Sequence, residues 1–177
     1  TQALDVIGRN PALFFFFALT ANRNADLLID QALRFVPSCV VIADEAQYLY
    51  VRDALQHLPV RVLAGMAALS EVVVMPSVDI VLTAMVGFSG LAPTLAAVKA
   101  GKNIALANKE TLVVAGELIT QLAAGSGSGI YPVDSEHSAA MQVMGGSTSE
   151  TIERICLTAS GGPFRSWSLT DMAGVTP

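Results

Sequence analysis

The feature that most constrains the fold is the regular alternation of short apolar runs with longer amphipathic segments along the 177-residue chain. Runs rich in Val, Ile and Leu, such as CVVIAD at 39–44 and DIVLTAMVG at 79–87, predict buried strands. Segments with apolar residues at helical spacing, such as NADLLIDQALRFV at 24–36, lie between them. Strands separated by helices are typical of βαβ units, whose right-handed crossovers build a doubly wound sheet. We therefore predict an α/β, Rossmann-like fold with a mostly parallel sheet.

The same pattern locates the individual elements and a domain boundary. The predicted strands are 14–21, 39–44, 60–65, 79–87, 103–108 and 130–133. The predicted helices are 1–10, 24–36, 45–58, 67–71, 91–101 and 109–124. We expect GSGSG at 125–129 to be a flexible loop and 153–165 to be a strand that runs into a glycine-rich loop. A change of character near Pro132 predicts a first domain at 1–132 and the start of a second α/β domain at 133–177.

Composition restricts the class of partner. The net charge is −5 and the ten basic residues are scattered, so the chain lacks the basic patch expected for nucleic acid or an anionic membrane. The longest apolar run, 12–19, is shorter than the roughly 20 residues that span a bilayer. Cys39 and Cys156 each lie in an apolar run, which predicts free, buried thiols and a reducing compartment. We expect a small-molecule ligand or a basic partner.

The segment PVDSEHSAAMQ at 132–142 places two carboxylates two positions apart. If the chain is extended there, Asp134 and Glu136 point the same way and offer oxygen ligands to one Mg²⁺ or Mn²⁺ ion. Alternatively, Asp134 caps a helix and Glu136 lies in its first turn. Ser135 could bind a ligand or a helix amide, and His137 is expected to orient an acid through a hydrogen bond. The pattern itself leaves the two interpretations open.

The segment LANKETL at 106–112 passes from a strand to a helix, which is where an open α/β sheet binds its ligands. A lysine in the first turn of a helix opposes the helix dipole, so Lys109 predicts a nearby anion unless it is solvated or paired with Glu110. Asn108 is an ordinary N-cap residue and also a plausible hydrogen-bonding partner for a ligand.

Two further segments have polar residues at strand ends. In TANRNAD, Asn22, Arg23 and Asn24 follow a strand where this fold contacts the adenosine ribose, and an arginine there can bind a 2′-phosphate. Because Asp26 falls inside the next helix, NADP is favoured over NAD. In TASGGPFR at 158–165, Ser160 and the glycines could contact a phosphate, although a simple turn explains the pattern equally well.

Four segments taken together closely resemble the 1-deoxy-D-xylulose 5-phosphate reductoisomerase family. In chain order they are TANRN, TAMVGFSGLAPTLAAVKAGKNIALANKETLV, PVDSEHSA and LTASGGPFR, and the similarity covers nearly the whole chain. The resemblance implies conversion of 1-deoxy-D-xylulose 5-phosphate into 2-C-methyl-D-erythritol 4-phosphate in non-mevalonate isoprenoid biosynthesis, with NADPH and Mg²⁺ or Mn²⁺. It further implies a rearrangement of the carbon skeleton followed by reduction, a homodimer, and a location in the bacterial cytoplasm or the plastid stroma.

The resemblance also implies roles for particular residues. It makes Asp134 and Glu136 catalytic metal ligands and Lys109 a catalytic, substrate-binding lysine, and it makes Ser135, Glu136 and Ser160 substrate contacts. The cofactor contacts that it implies are Asn22, Arg23, Asn24, Ala84, Met85, Asn108 and Glu110.

Several parts of the family pattern are not found in the chain. These are the first strand with its glycine-rich turn, the lid tryptophan, the Ser-Asn-Lys phosphate segment, a third metal carboxylate and the C-terminal helical domain. Trp167 does not match the lid tryptophan, because it follows SGGPFR almost at once. We therefore expect a piece of a longer protein that is inactive on its own. The alternatives are an NAD(P)-dependent dehydrogenase of a small hydroxy acid or aldehyde, and a non-catalytic α/β binding module.

Overall fold

The computed structural model describes residues 2–156 and 162–176. They divide into two compact units, Thr1–Tyr131 and Pro132–Pro177. The strands are β1 (Ala18–Ala21), β2 (Cys39–Ile42), β3 (Arg61–Ala64), β4 (Ile80–Thr83), β5 (Asn103–Leu106) and β6 (Ile130–Pro132). The helices of the first unit are α1 (Gln2–Arg9), α2 (Ala25–Phe35), α3 (Tyr48–Leu55), α4 (Met66–Val72), α5 (Leu91–Lys99) and α6 (Glu110–Ser126). In the second unit, α7 is Ser135–Met144 and α8 is Leu169–Met172.

The strands form two three-stranded sheets, ordered β1-β2-β3 and β4-β5-β6. The pairs β1–β2, β2–β3 and β4–β5 are parallel, with Ala21 opposite Ile42 and Thr83 opposite Leu106 at their carboxyl ends. Helices lie between successive strands, as the βαβ pattern predicts, so the α/β, Rossmann-like class is confirmed. The carboxyl ends of neighbouring strands therefore meet at the same edge of each sheet.

The first sheet is covered on both faces by apolar side chains. Val40 and Ile42 pack with Leu28 of α2 and Val51 of α3 on one face. On the other face, Val41 packs in a cluster with side chains of α4. All four residues of β2 are buried, which explains why this strand is continuously apolar in the sequence.

Helix α2 shows how local sequence sets the element ends. The Asn24 side chain accepts a hydrogen bond from the Leu27 amide and caps the first turn. At the other end, Val36 takes a left-handed conformation with φ 45°, and its amide bonds to the Ala32 carbonyl. Pro37 follows, so the helix cannot continue.

The structure corrects three element predictions. Strand β1 begins only at Ala18, because the ladder starts where the Cys39 amide meets the Phe17 carbonyl, and Phe14 and Phe15 before it are exposed. The predicted flexible loop starts later than expected, because α6 continues through Ser126 and ends at Gly127, whose φ is 75°.

The third correction concerns the predicted strand at 153–165. Residues 153–156 are not in a strand, and 157–161 lie outside the described residues. Beyond them, the four-residue α8 begins with a capping box in which the Ser168 and Asp171 side chains accept from each other's backbone amides. The sequence analysis did not find this helix.

Candidate functional site

Asn22, Arg23 and Asn24 lie directly after β1, at the carboxyl edge of the first sheet. The Asn22 carbonyl accepts a hydrogen bond from the Asp44 amide at 2.9 Å, which ties the loop after β1 to the loop after β2. Asn24 uses its side-chain oxygen to cap α2. Arg23 is the cation of this loop, and its side chain is 83% exposed.

Asp44 faces Arg23 from the neighbouring loop. Its Oδ2 atom lies 4.0 Å from the Arg23 Nε atom, and its side chain is 32% exposed. Its Oδ1 atom accepts a hydrogen bond from the Ala46 amide at 3.1 Å, so the carboxylate is fixed by the start of a 3₁₀ turn at Glu45–Gln47. A fixed acid therefore stands beside an exposed guanidinium at the edge where this fold binds adenosine.

Asp26 does not face this edge as a free acid. Its Oδ1 atom accepts a 2.8 Å hydrogen bond from the Tyr50 hydroxyl on α3. This hydrogen bond, reinforced by the negative charge of Asp26, raises the pKa of the Tyr50 hydroxyl. The acid that would favour a ribose 2′-hydroxyl is thus bonded to a side chain of another helix.

Asn108 occupies the equivalent edge of the second sheet and is buried. Its side-chain Nδ2 donates to the carbonyls of Met85 and Gly87, the latter at 3.0 Å. Its Oδ1 accepts from the Thr111 amide at 3.2 Å, which is a capping bond for α6 although the helix begins at Glu110. We name this set of three bonds the Asn108 latch. It fixes the loop after β4 to the first turn of α6.

The latch leaves other predicted residues of this edge accessible. Ala84, Lys109 and Glu110 are exposed, and Met85 is half-buried. Lys109 stands at the N-cap position of α6, where its side chain makes no capping bond. The structure thus brings the predicted Ala84, Met85, Asn108, Lys109 and Glu110 to one edge of the second sheet.

The Asn108 latch adjoins two buried hydroxyls, those of Thr83 and Thr111. Neither Oγ1 atom has a hydrogen-bond partner within the described part of the chain. Thr83 ends β4 and its carbonyl accepts from the Asn108 amide, whereas Thr111 donates its own amide to the Asn108 side chain. Buried hydroxyls of this kind usually bind an ordered water or a ligand group.

In the second unit, Asp134 occupies the N-cap position of α7 but its side chain makes no capping bond. The carboxylate instead faces the His137 Nδ1 atom, which lies 2.8 Å from Oδ1 and 2.7 Å from Oδ2. The Asp134 side chain is only 12% exposed, whereas that of His137 is 50% exposed. The sequence analysis correctly expected His137 to orient an acid, whereas its suggestion that the Asp134 side chain caps the helix is wrong.

The extended arrangement considered for Asp134 and Glu136 is also wrong. Only Asp134 is extended, with φ −66° and ψ 152°, because α7 already begins at Ser135. Glu136 therefore lies in the first helical turn, where it complements the helix dipole. The two side chains are those of an N-cap residue and an N2 residue, rather than two alternate residues of a strand.

The donor set of this unit suits a hard divalent cation in type, because it consists of carboxylate oxygens. The number of candidate ligands is small, because residues 2–156 and 162–176 contain no group of three or more His, Cys, Asp and Glu side chains that could hold a metal ion. Ser135 is exposed at the first position of α7, next to both acids. Ser160, the other predicted substrate contact, lies outside the described residues.

Two features of the site were not predicted from the sequence. Asp44 was not selected, although its position directly after a buried strand places it at the same edge as Arg23. Gly90 was not selected either, yet a side-chain carbon built on it would lie 2.8 Å from the Asn108 Nδ2 atom. Nothing in the local sequence around Gly90 indicates this packing, because Asn108 is 18 positions away.

Comparison with known proteins covers both units. The model of the 1-deoxy-D-xylulose 5-phosphate reductoisomerase family matches residues 1–116. The model of the C-terminal domain of the same family matches residues 130–177.

Curated relatives agree with the family models. The chain is 56% identical over 176 residues to the 1-deoxy-D-xylulose 5-phosphate reductoisomerase of Bacteroides fragilis, which covers 99% of this chain and 45% of that protein. It is 49% identical over 181 residues to the enzyme of Laribacter hongkongensis, covering 99% of this chain and 47% of the relative. The chain therefore spans slightly less than half the length of these relatives.

Solved structures resemble the chain over almost all of its length. A reductoisomerase from Zymomonas mobilis in complex with NADPH superposes with a TM-score of 0.86 at 44% identity, covering 98% of this chain and 45% of that one. A reductoisomerase in complex with NADPH, fosmidomycin and magnesium gives a TM-score of 0.81 at 36% identity, with coverages of 98% and 45%. The chain belongs to the 1-deoxy-D-xylulose 5-phosphate reductoisomerase family.

Proposed function

We propose that the chain supplies the NADPH-binding domain, residues 1–132, and the start of the metal- and substrate-binding domain, residues 133–177, of a 1-deoxy-D-xylulose 5-phosphate reductoisomerase. The observation that carries the proposal is the match of both family models, which together cover both units. The product of the proposed reaction is 2-C-methyl-D-erythritol 4-phosphate, an intermediate of non-mevalonate isoprenoid biosynthesis.

The proposed cofactor is NADPH, which supplies a hydride when bound. Asn22, Arg23 and Asn24 hold its adenosine side, and the exposed guanidinium of Arg23 supports a preference for a 2′-phosphate. The engagement of Asp26 by Tyr50 supports the same preference, because the acid in the first turn of α2 already accepts a hydrogen bond from another helix.

At the second sheet, the proposed contacts to the nicotinamide side come from Ala84, Met85, Asn108 and Glu110. Both amide protons of Asn108 are already donated to backbone carbonyls. Asn108 therefore contributes by holding the loop after β4 in place and through the free lone pair of its Oδ1 atom. Lys109, exposed beside it, is the proposed catalytic lysine that binds the substrate.

The proposed metal ligands are Asp134 and Glu136, for Mg²⁺ or Mn²⁺. A divalent ion bound there supplies Lewis-acid polarisation of substrate oxygens. The His137 hydrogen bond holds Asp134 away from the amides of α7, which keeps its oxygens available as ligands. Ser135, Glu136 and Ser160 are the proposed contacts to the phosphorylated sugar.

We further propose a homodimer in the bacterial cytoplasm. The bacterial origin of the named relatives supports this location over the plastid stroma. None of the helices in the described part of the chain combines the length and apolarity that crossing a membrane requires.

The test is a chimaera in which this chain replaces the matching segment of the Bacteroides fragilis relative. We expect NADPH oxidation that depends on 1-deoxy-D-xylulose 5-phosphate and on Mn²⁺ or Mg²⁺, followed at 340 nm as a loss of absorbance. Glu136→Gln should abolish turnover, and the isolated 177-residue chain should have none. Turnover that persists with a chelator would favour a plain dehydrogenase, and full function of the Glu136→Gln chimaera would favour a non-catalytic module.

A further inference from the structure

Asp44 and Arg23 form a small polar site on two adjacent loops at the carboxyl edge of the first sheet. The Asp44 carboxylate is held by the Ala46 amide through Oδ1, and its backbone amide is bonded to the Asn22 carbonyl. Its Oδ2 atom lies on the Nε side of the Arg23 guanidinium. The position of the carboxylate is therefore set by the backbone, whereas the Arg23 side chain extends into solvent and is 83% exposed.

The geometry of a guanidinium decides what else can bind at this site. Nε faces Asp44, so the two Nη groups remain for a bidentate contact to a phosphate oxygen pair. In a 2′-phosphorylated dinucleotide, the adenine ring is attached to the ribose carbon next to the phosphorylated one. A cofactor whose 2′-phosphate meets Arg23 thus brings its adenine close to the same two loops, and the planar guanidinium can cover the ring face.

Adenine has only one group that can donate a hydrogen bond to a carboxylate. Its ring nitrogens are acceptors, and its 6-amino group is a donor, whereas an ionised carboxylate only accepts. We propose that Asp44 is the base-reading residue of the cofactor site and accepts a hydrogen bond from the adenine 6-amino group through Oδ2. This inference rests on the proposed NADPH site and adds selectivity for the base to the selectivity for the 2′-phosphate.

The neighbouring acids do not compete for this role. Asp26 accepts from the Tyr50 hydroxyl. The Glu45 side chain turns toward β3, where its Oε1 atom lies 2.7 Å from the position of a carbon built on Gly65. Asp44 is thus the acid of these loops whose second oxygen remains beside Arg23.

The experiment measures binding of NADPH and of its hypoxanthine analogue, in which a carbonyl replaces the 6-amino group, to the chimaera with the Bacteroides fragilis relative by calorimetry. The unsubstituted protein should bind NADPH about tenfold more tightly than the analogue. A difference of this size corresponds to the free energy of one charge-assisted hydrogen bond. In Asp44→Asn the preference should fall to about twofold or reverse, because an amide can donate to the carbonyl of hypoxanthine. Asparagine caps a helix as well as aspartate, so this variant keeps the Ala46 bond.

Two controls separate this inference from the proposed function. Arg23→Gln should weaken NADPH and its analogue equally and remove the preference for NADPH over NADH, and Glu45→Gln should leave the base preference unchanged. An unaltered base preference in Asp44→Asn overturns the inference while the NADPH site stands. A wild type that binds NADH as tightly as NADPH, or neither, overturns the proposed site and the inference with it.

Discussion

The His137 Nδ1 atom lies within 2.8 Å of both carboxylate oxygens of Asp134, so one imidazole nitrogen fixes the orientation of the whole carboxylate. A residue that orients a metal ligand typically contributes 10- to 100-fold to metal affinity. We predict that His137→Ala weakens Mn²⁺ binding to the chain by about tenfold. The measurement is the loss of the free Mn²⁺ electron paramagnetic resonance signal on titration with protein.

Two variants make this prediction specific. His137→Asn places an amide donor near the same carboxylate and should recover much of the affinity. Ser138→Ala, on the same helix, removes a hydroxyl that accepts from Gln142 and should leave Mn²⁺ binding unchanged. Equal affinities of the wild type and His137→Ala would mean that the hydrogen bond has no role in metal binding.

The Asn108 latch predicts a large cost for removal of one side chain. Asn108→Ala leaves the Met85 and Gly87 carbonyls and the Thr111 amide without their partner. We expect the free energy of unfolding to fall by about 2–3 kcal/mol, measured by urea denaturation with circular dichroism. Asn108→Asp separates the contributions, because a carboxylate can still accept from Thr111 but cannot donate to the carbonyls. Its buried charge would also face the Met85 and Gly87 carbonyl oxygens, and this repulsion offsets the retained bond, so the variant should be no more stable than Asn108→Ala.

Gly90 should be intolerant of even a methyl group. A side-chain carbon there would lie 2.8 Å from the Asn108 Nδ2 atom and 3.5 Å from the Met85 carbonyl oxygen. The amide cannot move aside without breaking the latch, so Gly90→Ala should destabilise the chain by about 1–3 kcal/mol. Gly125→Ala is the matched control, since nothing lies within 4 Å and the residue is helical. It should stabilise the chain by about 0.5 kcal/mol. Equal unfolding midpoints for the two variants would contradict the packing argument.

The fold was predictable because each buried strand carries its own signal. Strand β2 is apolar at all four positions since both of its faces are covered, and helix α2 has an asparagine cap and a following proline. Phe14 and Phe15 show the limit of this reasoning, because an apolar run does not reveal where its ladder begins. The end of α6 depended on a left-handed Gly127, which GSGSG does not distinguish from its other glycines.

The candidate site was predictable where it depends on strand ends and unpredictable where it depends on contacts between distant residues. Arg23 and Lys109 follow strands, and the topology alone places them at sheet edges. Three contacts of the site join residues about 20 or more positions apart. They are the Arg23–Asp44 pair, the Asn108 bond to Met85 and the Tyr50 bond to Asp26. Spacing within one segment carries no information on such pairs, which form only when the sheet brings their loops together.

The two free cysteines should differ in reactivity toward alkylating reagents. Cys39 is buried in β2, as its apolar run predicted, whereas the prediction of a buried Cys156 is wrong because its side chain is exposed. Burial raises the pKa of the Cys39 thiol above its ordinary value, and the opposing charge of Arg61 is the smaller influence. At pH 7.5 we therefore expect iodoacetamide to modify Cys156 first, with Cys39 protected until the chain unfolds, as followed by peptide mass spectrometry.

The raised pKa of Cys39 also predicts how the free energy of unfolding changes with pH. As the pH rises through the ordinary thiol pKa, the unfolded chain releases the proton while the folded chain retains it, so this contribution is complete below the ordinary pKa and is lost as the pH rises through the raised pKa of the folded chain. Cys39→Ala should therefore flatten the decline in unfolding free energy between pH 8 and pH 10. Faster alkylation of Cys39 than of Cys156 in the native chain, or an identical pH dependence in the variant, would contradict the burial of this thiol.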